Sequence, residues 1–402
     1  MVELKKYKLR DIFSEFHSGE SIKASEIHDI DTFPVFGGNG IRGYCNRYNN
    51  DGEYIIIGRQ GAYCGNVRYY CGKAFLTEHA IVGKPKKAFN AVYLANKLSI
   101  INLSRFQGQS AQPGLAVETL SNVEIDLPTY STQESIGEVL FTFDKHIETL
   151  NAINRNLEQI ARQLYDYWFV QFDFPNTEGK PYKSSGGEMV YSELFKREIP
   201  SDWVCKSLGE YANVRKGTTI TKAQTVEGNI KVVAAATDYS FLHNSANRTA
   251  YCITISSSGA NAGFINFWRE PIYASDCSTV QGQSVIETLF CYYSLLHYQD
   301  ILFNQQIGAA QPHVYPEHIS KIPIVIPPVE ILDKVKIFFL LTNERQASLS
   351  KELDHLKTLR DELLPMLLNG QVTVRQENVY DFKPVDLPLA AEPGEVNCDL
   401  SQ

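Results

Sequence analysis

Two stretches of the chain have spacings at which chemistry is often done. Glu178-Gly-Lys180, with Asp173 upstream, has the Glu-x-Lys spacing of a metal-dependent nuclease. It stands in a Pro- and Gly-rich stretch, where carboxylates are not preorganised for a metal. Phe36-Gly-Gly-Asn-Gly40 is glycine-rich enough to cradle a phosphate, but no helical pattern follows it, so a tight loop is expected. The nine histidines are dispersed, with no His-Glu-x-x-His and no nucleophile-base pair; His79 and His313 read as packing residues. The eight cysteines form no CxxC pair and no zinc-ligand spacing, which predicts reduced thiols in a cytoplasmic protein. There is no GxxxxGK[ST] loop, no Asn-Pro-Pro-Tyr-like tetrapeptide to hold a flipped adenine, and no cofactor fingerprint. Catalysis by this chain is therefore not expected, and no metal ligand is assigned.

The elements that would position any site are duplicated. Tyr54-Ile-Ile-Ile-Gly-Arg-Gln-Gly61 lies 198 residues before Cys252-Ile-Thr-Ile-Ser-Ser-Ser-Gly259. The register holds through Gly65 with Gly263, Tyr70 with Trp268, and Glu78 with Asp276, and upstream through Gly19 with Gly217. After one single-residue shift, Ala111-Gln-Pro113 matches Ala310-Gln-Pro312, and Val123 to Pro128 matches Ile322 to Pro327. A run this long reads as an internal repeat. Alternating apolar residues predict strands at 54–57, 67–70 and 123–127, and at 253–255, 264–268 and 322–326. Gly61-x-x-x-Gly65 and Gly259-x-x-x-Gly263 predict glycine-assisted hairpins. Each copy is expected to be a mixed α/β globule, over 1–130 and 201–328.

One long helix is expected after each globule, over 131–169 and 329–370. Ser131-Thr-Gln-Glu134 has capping-box spacing. Ile136, Leu140, Phe143, Ile147, Leu150, Asn154, Leu157, Ala161, Leu164 and Trp168 then step by four and three, a heptad seam that calls for a partner helix. The matching seam is Val335, Phe339, Thr342, Gln346, Leu349, Leu353, Leu356, Arg360, Leu363 and Leu367, less apolar and so weaker. Pro365 is expected to end or kink this helix near Leu364, with Gly370 as its stop. Residues 170–200 read as a Pro/Gly linker and 371–402 as an acidic, unstructured tail.

The 402 residues are 44% apolar and 21% charged, which excludes a disordered or disulfide-dense protein, and no run approaches a membrane span. Net charge is −8, but residues 1–130 carry +2, 201–328 carry −1 and 371–402 carry −4. No segment can hold nucleic acid by bulk electrostatics alone, so any such role must use local contacts and added positive charge from partners.

The order globule, long helix, globule, long helix resembles the specificity subunit of Type I restriction-modification enzymes. The stretches that carry the resemblance are Gly108-Gln-Ser-Ala-Gln-Pro-Gly-Leu-Ala-Val-Glu-Thr-Leu-Ser-Asn-Val-Glu-Ile-Asp-Leu-Pro128, Leu164-Tyr-Asp-Tyr-Trp-Phe169, and Lys351-Glu-Leu353 through Leu363-Leu-Pro-Met-Leu-Leu-Asn-Gly370. It implies an α+β protein with a pseudo-two-fold. Two target recognition domains would each read one half of a split site in double-stranded DNA, joined by an antiparallel coiled coil acting as a spacer ruler. It implies two modification subunits carrying S-adenosylmethionine and the adenine-methylating site. Restriction subunits would use ATP and Mg2+, and no cofactor would sit on this chain.

Base edges are read by polar side chains on exposed loops. On that basis the first-copy candidates are Lys23, Asn39, Arg42, Arg59, Gln60, Tyr63, Gln109 and Ser110. Those of the second copy are Lys216, Thr218, Lys222, Ser256, Ser258, Asn261, Gln305 and Gln306. Gln112 and Gln311 occur in both copies, which argues for a structural role. The expected coiled-coil interface is Leu140, Phe143, Ile147, Leu150, Asn154, Leu157 and Leu164 with Leu349, Leu353, Leu356 and Leu363. Two other readings compete: a self-contained DNA-modifying enzyme with a cryptic site, and a coiled-coil scaffold with no DNA role.

Overall fold

A computed structural model describes residues 3–108, 114–304 and 313–374. The chain forms two compact units. Unit one comprises the described residues up to His146 together with those from Leu356 onward; unit two is Ile147–His355. Each unit keeps one globule and a part of each long helix.

In unit one the strands are β1 (Lys5–Lys8), β2 (Phe13–Ser18), β3 (Phe33–Gly37), β4 (Gly40–Cys45), β5 (Glu53–Gly58), β6 (Val67–Cys71), β7 (Phe75–Leu76), β8 (Ala80–Pro85) and β9 (Glu124–Leu127). They make a four-stranded sheet ordered β2-β8-β5-β6, a three-stranded sheet β4-β3-β7, and the pair β1-β9. Strand β5 is central and both its faces are buried. Ile55 and Ile57 enter one core, with Leu94, Leu98, Ile136 and Leu140. Tyr54 and Ile56 enter a second, with Phe36, Leu76 and Val82. This is why the stretch reads as an unbroken apolar run rather than an alternation. The Phe36–Gly40 loop is the tight β3-β4 turn that its glycines predict.

Unit two repeats the plan. Its strands are β10 (Met189–Ser192), β11 (Arg197–Pro200), β12 (Val204–Ser207), β13 (Asn213–Lys216), β14 (Ile230–Val233), β15 (Phe241–His243), β16 (Cys252–Ser256), β17 (Ile265–Trp268), β18 (Tyr273–Ala274), β19 (Cys277–Gln281) and β20 (Pro323–Ile326). The sheets are β13-β19-β16-β17, β15-β14-β18 and β12-β20, the same three topologies in the same order of chain. Small fixtures repeat too. Asn49 accepts from Leu76 N–H at 2.8 Å and donates to its carbonyl at 3.0 Å; Asn247 does the same to Ala274 at 2.7 and 2.9 Å.

The first long helix is Tyr130–Tyr165, followed by a π-turn at Asp166–Val170; the second is Val329–Leu368. Within unit one, Asp144 pairs with Arg360 at 2.7 Å while residues 131–136 lie beside Leu367 and Leu368, so the two helices run antiparallel there. Within unit two, Gln346 donates to Glu158 at 3.1 Å, and Tyr165 and Phe339 both pack on Tyr293, which is antiparallel again. Of the expected interface, Leu140, Leu150, Leu349 and Leu353 are buried, and Phe143, Ile147, Asn154, Leu157, Leu164, Leu356 and Leu363 are half-buried.

Three details differ from expectation, and the expected stop at Gly370 is met. The first helix starts one residue early, so Ser131 lies inside it rather than capping it; Gln133 N–H bonds the Thr129 carbonyl, and the Thr129 hydroxyl meets that of Thr132. The second helix continues through Pro365, because Leu364, Leu367 and Leu368 are held in the unit-one core. It stops at Gly370, whose φ of +70° lets its N–H reach the Leu367 carbonyl and that of Gln371 reach Met366. The stretch 170–200 is packed rather than a free linker: Phe172 and Phe174 are buried against Trp203, and β10 pairs with β11. Beyond residue 374, the expected tail lies outside the described residues.

Asn154 carries a prediction. Its side-chain oxygen is buried with no partner among the described residues. An unsatisfied buried acceptor costs about 1–3 kcal/mol. Asn154→Leu is therefore expected to stabilise unit two by roughly 1–2 kcal/mol while relaxing helix register. Denaturant titration reads the first effect and solution mass the second; a destabilised, uniformly monomeric variant would show that Asn154 makes a required polar contact.

Candidate nucleic-acid interface

The loop between β5 and β6 is built by two glycines. Gly61 has φ +76° and Gly65 has φ +83°, conformations that favour glycine. Between them Gly61–Tyr63 forms one 3-10 turn. The loop is closed by Gly65 N–H to the Gly58 carbonyl at 2.7 Å and Gly58 N–H to the Asn66 carbonyl at 2.8 Å. Behind it, Leu115 N–H bonds the Arg59 carbonyl at 2.9 Å. Unit two reproduces each fixture: Gly259 and Gly263 at φ +73° and +85°, Gly263 N–H to Ser256, Ser256 N–H to Phe264, and Val314 N–H to Ser257. A one-to-one match of backbone bonds means that the frame is common and only the side chains differ.

In unit one this loop faces the β3-β4 turn across an open concavity of about 800 Å³. Asn39, Arg42, Gln60 and Tyr63 line it together, with His79 and Gln107. The Asn39 carbonyl accepts from Arg68 at 2.8 Å, which fixes the turn. Gln60 is half-buried and its Oε1 lies 3.1 Å from His79 Nδ1; His79 Nε2 lies 3.5 Å from Glu78. Arg59 faces inward instead: its guanidinium donates to the carbonyls of Leu115 and Glu78, both at 3.3 Å, and so ties the loop to its neighbours. Lys23 is exposed but does not line the concavity. Gln109 and Ser110 lie outside the described residues, as does Gln112.

In unit two, Ser258 stands where Gln60 stands, and its hydroxyl donates to Asp276, which the fold places where His79 stands, one residue off the sequence match: Ser257 N–H bonds the Asp276 carbonyl as Arg59 N–H bonds that of His79. Asn261 is half-buried in the 3-10 turn, and Lys216, Thr218 and Lys222 are exposed on the edges of the globule. Ser256 is a correction. It is 3% exposed, because it is the last residue of the central strand β16, paired with Cys277, and no ligand can reach its hydroxyl there. Gln305, Gln306 and Gln311 lie outside the described residues.

Sequence reasoning missed His79 and Gln107 as lining residues. His79 was legible only as a packing residue, since its neighbour Gln60 is 19 positions away and meets it only through the β5-β8 pairing. Among the described residues there is no group of three His, Cys, Asp or Glu side chains placed to hold a metal. The nuclease-like spacing is occupied locally: Glu178 pairs with Lys180 at 2.9 Å, and Asp173 accepts from Ser184. Among the described residues, no helix is long and apolar enough to cross a membrane.

A duplicated globule with a common loop frame, interleaved with long helices, defines a two-module recognition protein, and comparison with known proteins gives its class. The family model of the Type I restriction modification DNA specificity domain matches twice, over residues 1–159 and 200–355. The chain belongs to that family. It is 36% identical over 165 residues to the Type I restriction enzyme EcoprrI specificity subunit of Escherichia coli, a match covering 40% of this chain and 41% of that one. It is 27% identical over 296 residues to the Type I restriction enzyme MjaIX specificity subunit of Methanocaldococcus jannaschii, covering 68% and 66%. These matches therefore span from two fifths to about two thirds of the relatives' lengths. The fold is that of the Type-I restriction-modification system S subunit from M. genitalium, with a TM-score of 0.64 at 18% identity, covering 91% of this chain and 96% of that one.

Proposed function

We propose that this chain is the DNA sequence-specificity subunit of a Type I restriction-modification complex. Each globule reads one half of a bipartite, asymmetric site in double-stranded DNA, and the helices act as the spacer ruler. The observation that carries the reading is the pair of matching loop frames bearing different side chains: Gln60, Tyr63 and His79 in one, Ser258, Asn261 and Asp276 in the other. Identical frames place side chains alike, and different side chains select different bases. Two modification subunits supply S-adenosylmethionine and the methylating site, and restriction subunits supply ATP- and Mg2+-dependent cleavage. This chain itself is non-catalytic and works in the cytoplasm.

With two globules of formal charge +2 and −1, the isolated chain is expected to bind DNA weakly and to tighten when modification subunits close around the duplex. The deciding experiment expresses the chain with its modification subunits and maps methylated adenines across the host genome. A single motif with two unlike halves at fixed separation is expected. Methylation without a split motif, or none at all, would overturn the reading.

A further inference from the structure

Positions 60 and 258 are one place in the repeat. Each precedes the glycine of positive φ, and each forms a bridge to the returning segment, Gln60 to Gly114 and Ser258 to His313. The hydrogen-bonding character of the two places is opposite. In unit one, Gln60 Oε1 lies 3.1 Å from His79 Nδ1; with the proton on that nitrogen the amide oxygen is engaged, and the amide presents its Nε2 donors, which have no partner among the described residues. Arg42, on the same concavity, adds further donors. In unit two, Ser258 spends its proton on Asp276. What remains at that place is the serine lone pairs and the carboxylate, all acceptors. The counterpart of His79 is Asp276 itself, since Ser257 N–H bonds the Asp276 carbonyl as Arg59 N–H bonds that of His79, so a carboxylate stands where unit one has the imidazole. No described cation pairs with Asp276 either.

Base edges in the major groove divide along the same line. Guanine shows two acceptors, O6 and N7, whereas cytosine and adenine show an amino donor. A free glutamine reads adenine with both its amide atoms, but in Gln60 the His79 contact takes up one lone pair and the orientation of that oxygen, which biases the amide toward its donors. We propose that the two copies use this shared position to read opposite edges: guanine through Gln60 in the half-site of the first globule, and an amino-bearing base, cytosine or adenine, through Asp276 and Ser258 in the half-site of the second. This rests on the specificity role proposed above and names the bases that role selects.

The test is the methylated motif directed by the whole chain with its modification subunits, for wild type, Gln60→Glu and Asp276→Asn. Gln60→Glu puts an acceptor where the donors were. Preference for guanine at one position of the first half-site should fall roughly ten- to hundredfold, cytosine should gain, and the second half-site should stay unchanged. Asp276→Asn should alter only the second half-site. His79→Ala frees the Gln60 oxygen and should admit adenine beside guanine; it decides the case for the first globule should Gln60→Glu fail to fold. Ser258→Ala, which leaves the carboxylate, should weaken the second half-site yet keep its amino-bearing base, and plays the same part for the second globule. A split motif that keeps both halves unaltered in folded variants overturns this inference while leaving the specificity role intact. So does a wild-type first half-site with no guanine, or a loss spread equally over all sequences. Absence of any split motif in wild type overturns the specificity role itself.

Discussion

Tyr165→Ala is expected to destabilise unit two by about 3–5 kcal/mol, the range for emptying a large aromatic site in a core. Tyr165 ends the first long helix and is 5% exposed. Its ring lies 5.1 Å from Phe169, 5.6 Å from Phe290 and 5.9 Å from both Tyr293 and His297. Burial pushes its hydroxyl far above the ordinary tyrosine range, opposed in part by a hydrogen bond with Ser294. Tyr165→Phe keeps the ring and loses only that bond, so it should cost about 1 kcal/mol. The readout is specific, because all three tryptophans, Trp168, Trp203 and Trp268, belong to unit two. Urea titration followed by tryptophan fluorescence should show the midpoint drop for the alanine variant and little change for the phenylalanine one. Equal midpoints in the two variants would mean that the ring packing contributes nothing.

The same residue shows where sequence reading stops. A strict heptad places Leu164 and Trp168 on the seam, and both are only half-buried, while Tyr165 and Phe169, one step round, are nearly sealed. Buried Ala161, Tyr165 and Phe169 step by four twice, so this face has left the heptad before the π-turn at 166–170 begins; it is set by Phe290 and Tyr293 of the second globule, partners that no local period announces. Phe172 and Phe174 were hidden for a related reason. Prolines and glycines around them signal a loop, and only the tertiary partner, Trp203, shows that the loop is packed. By contrast, the six strands named from alternation (β5, β6, β9, β16, β17 and β20) and the two glycine hairpins were legible, because the repeat doubles each weak local signal and the glycine spacing is a backbone requirement rather than a preference. The frame of the candidate interface was therefore readable. The inward turn of Arg59, the burial of Ser256 and the Gln60–His79 contact were not, since each depends on a strand pairing far away in sequence.

Arg269→Ala is expected to cost unit two about 2–5 kcal/mol, and the reason lies in what it leaves behind. Arg269 follows β17 and donates to Asn343 Oδ1 and Gln346 Oε1 on the second long helix, both at 2.7 Å. Asn343 and Gln346 are each 3% exposed, so neither oxygen can turn to water. An orphaned buried acceptor costs about 1–3 kcal/mol, and here there are two. Gln346 also donates to Glu158, which accepts from Tyr292 at 3.4 Å, so the loss propagates to a carboxylate that relies on those donors. The guanidinium further stacks over Phe267 at 5.3 Å, a contact that lysine reproduces only as a point charge. Arg269→Lys should therefore recover less than half of the loss. The polar position Gln346, which makes the second seam look weak in sequence, is thus a seat for the globule rather than a flaw in a coil. A decisive variant removes donor and acceptors together. Arg269→Met with Asn343→Leu and Gln346→Leu exchanges the two buried acceptors for apolar packing and should regain part of the stability lost by Arg269→Ala alone, the remainder being the donor that Glu158 loses with Gln346. Urea midpoints from tryptophan fluorescence give both numbers. Additive losses in the triple variant would show that the three side chains act separately, and the network account would fail.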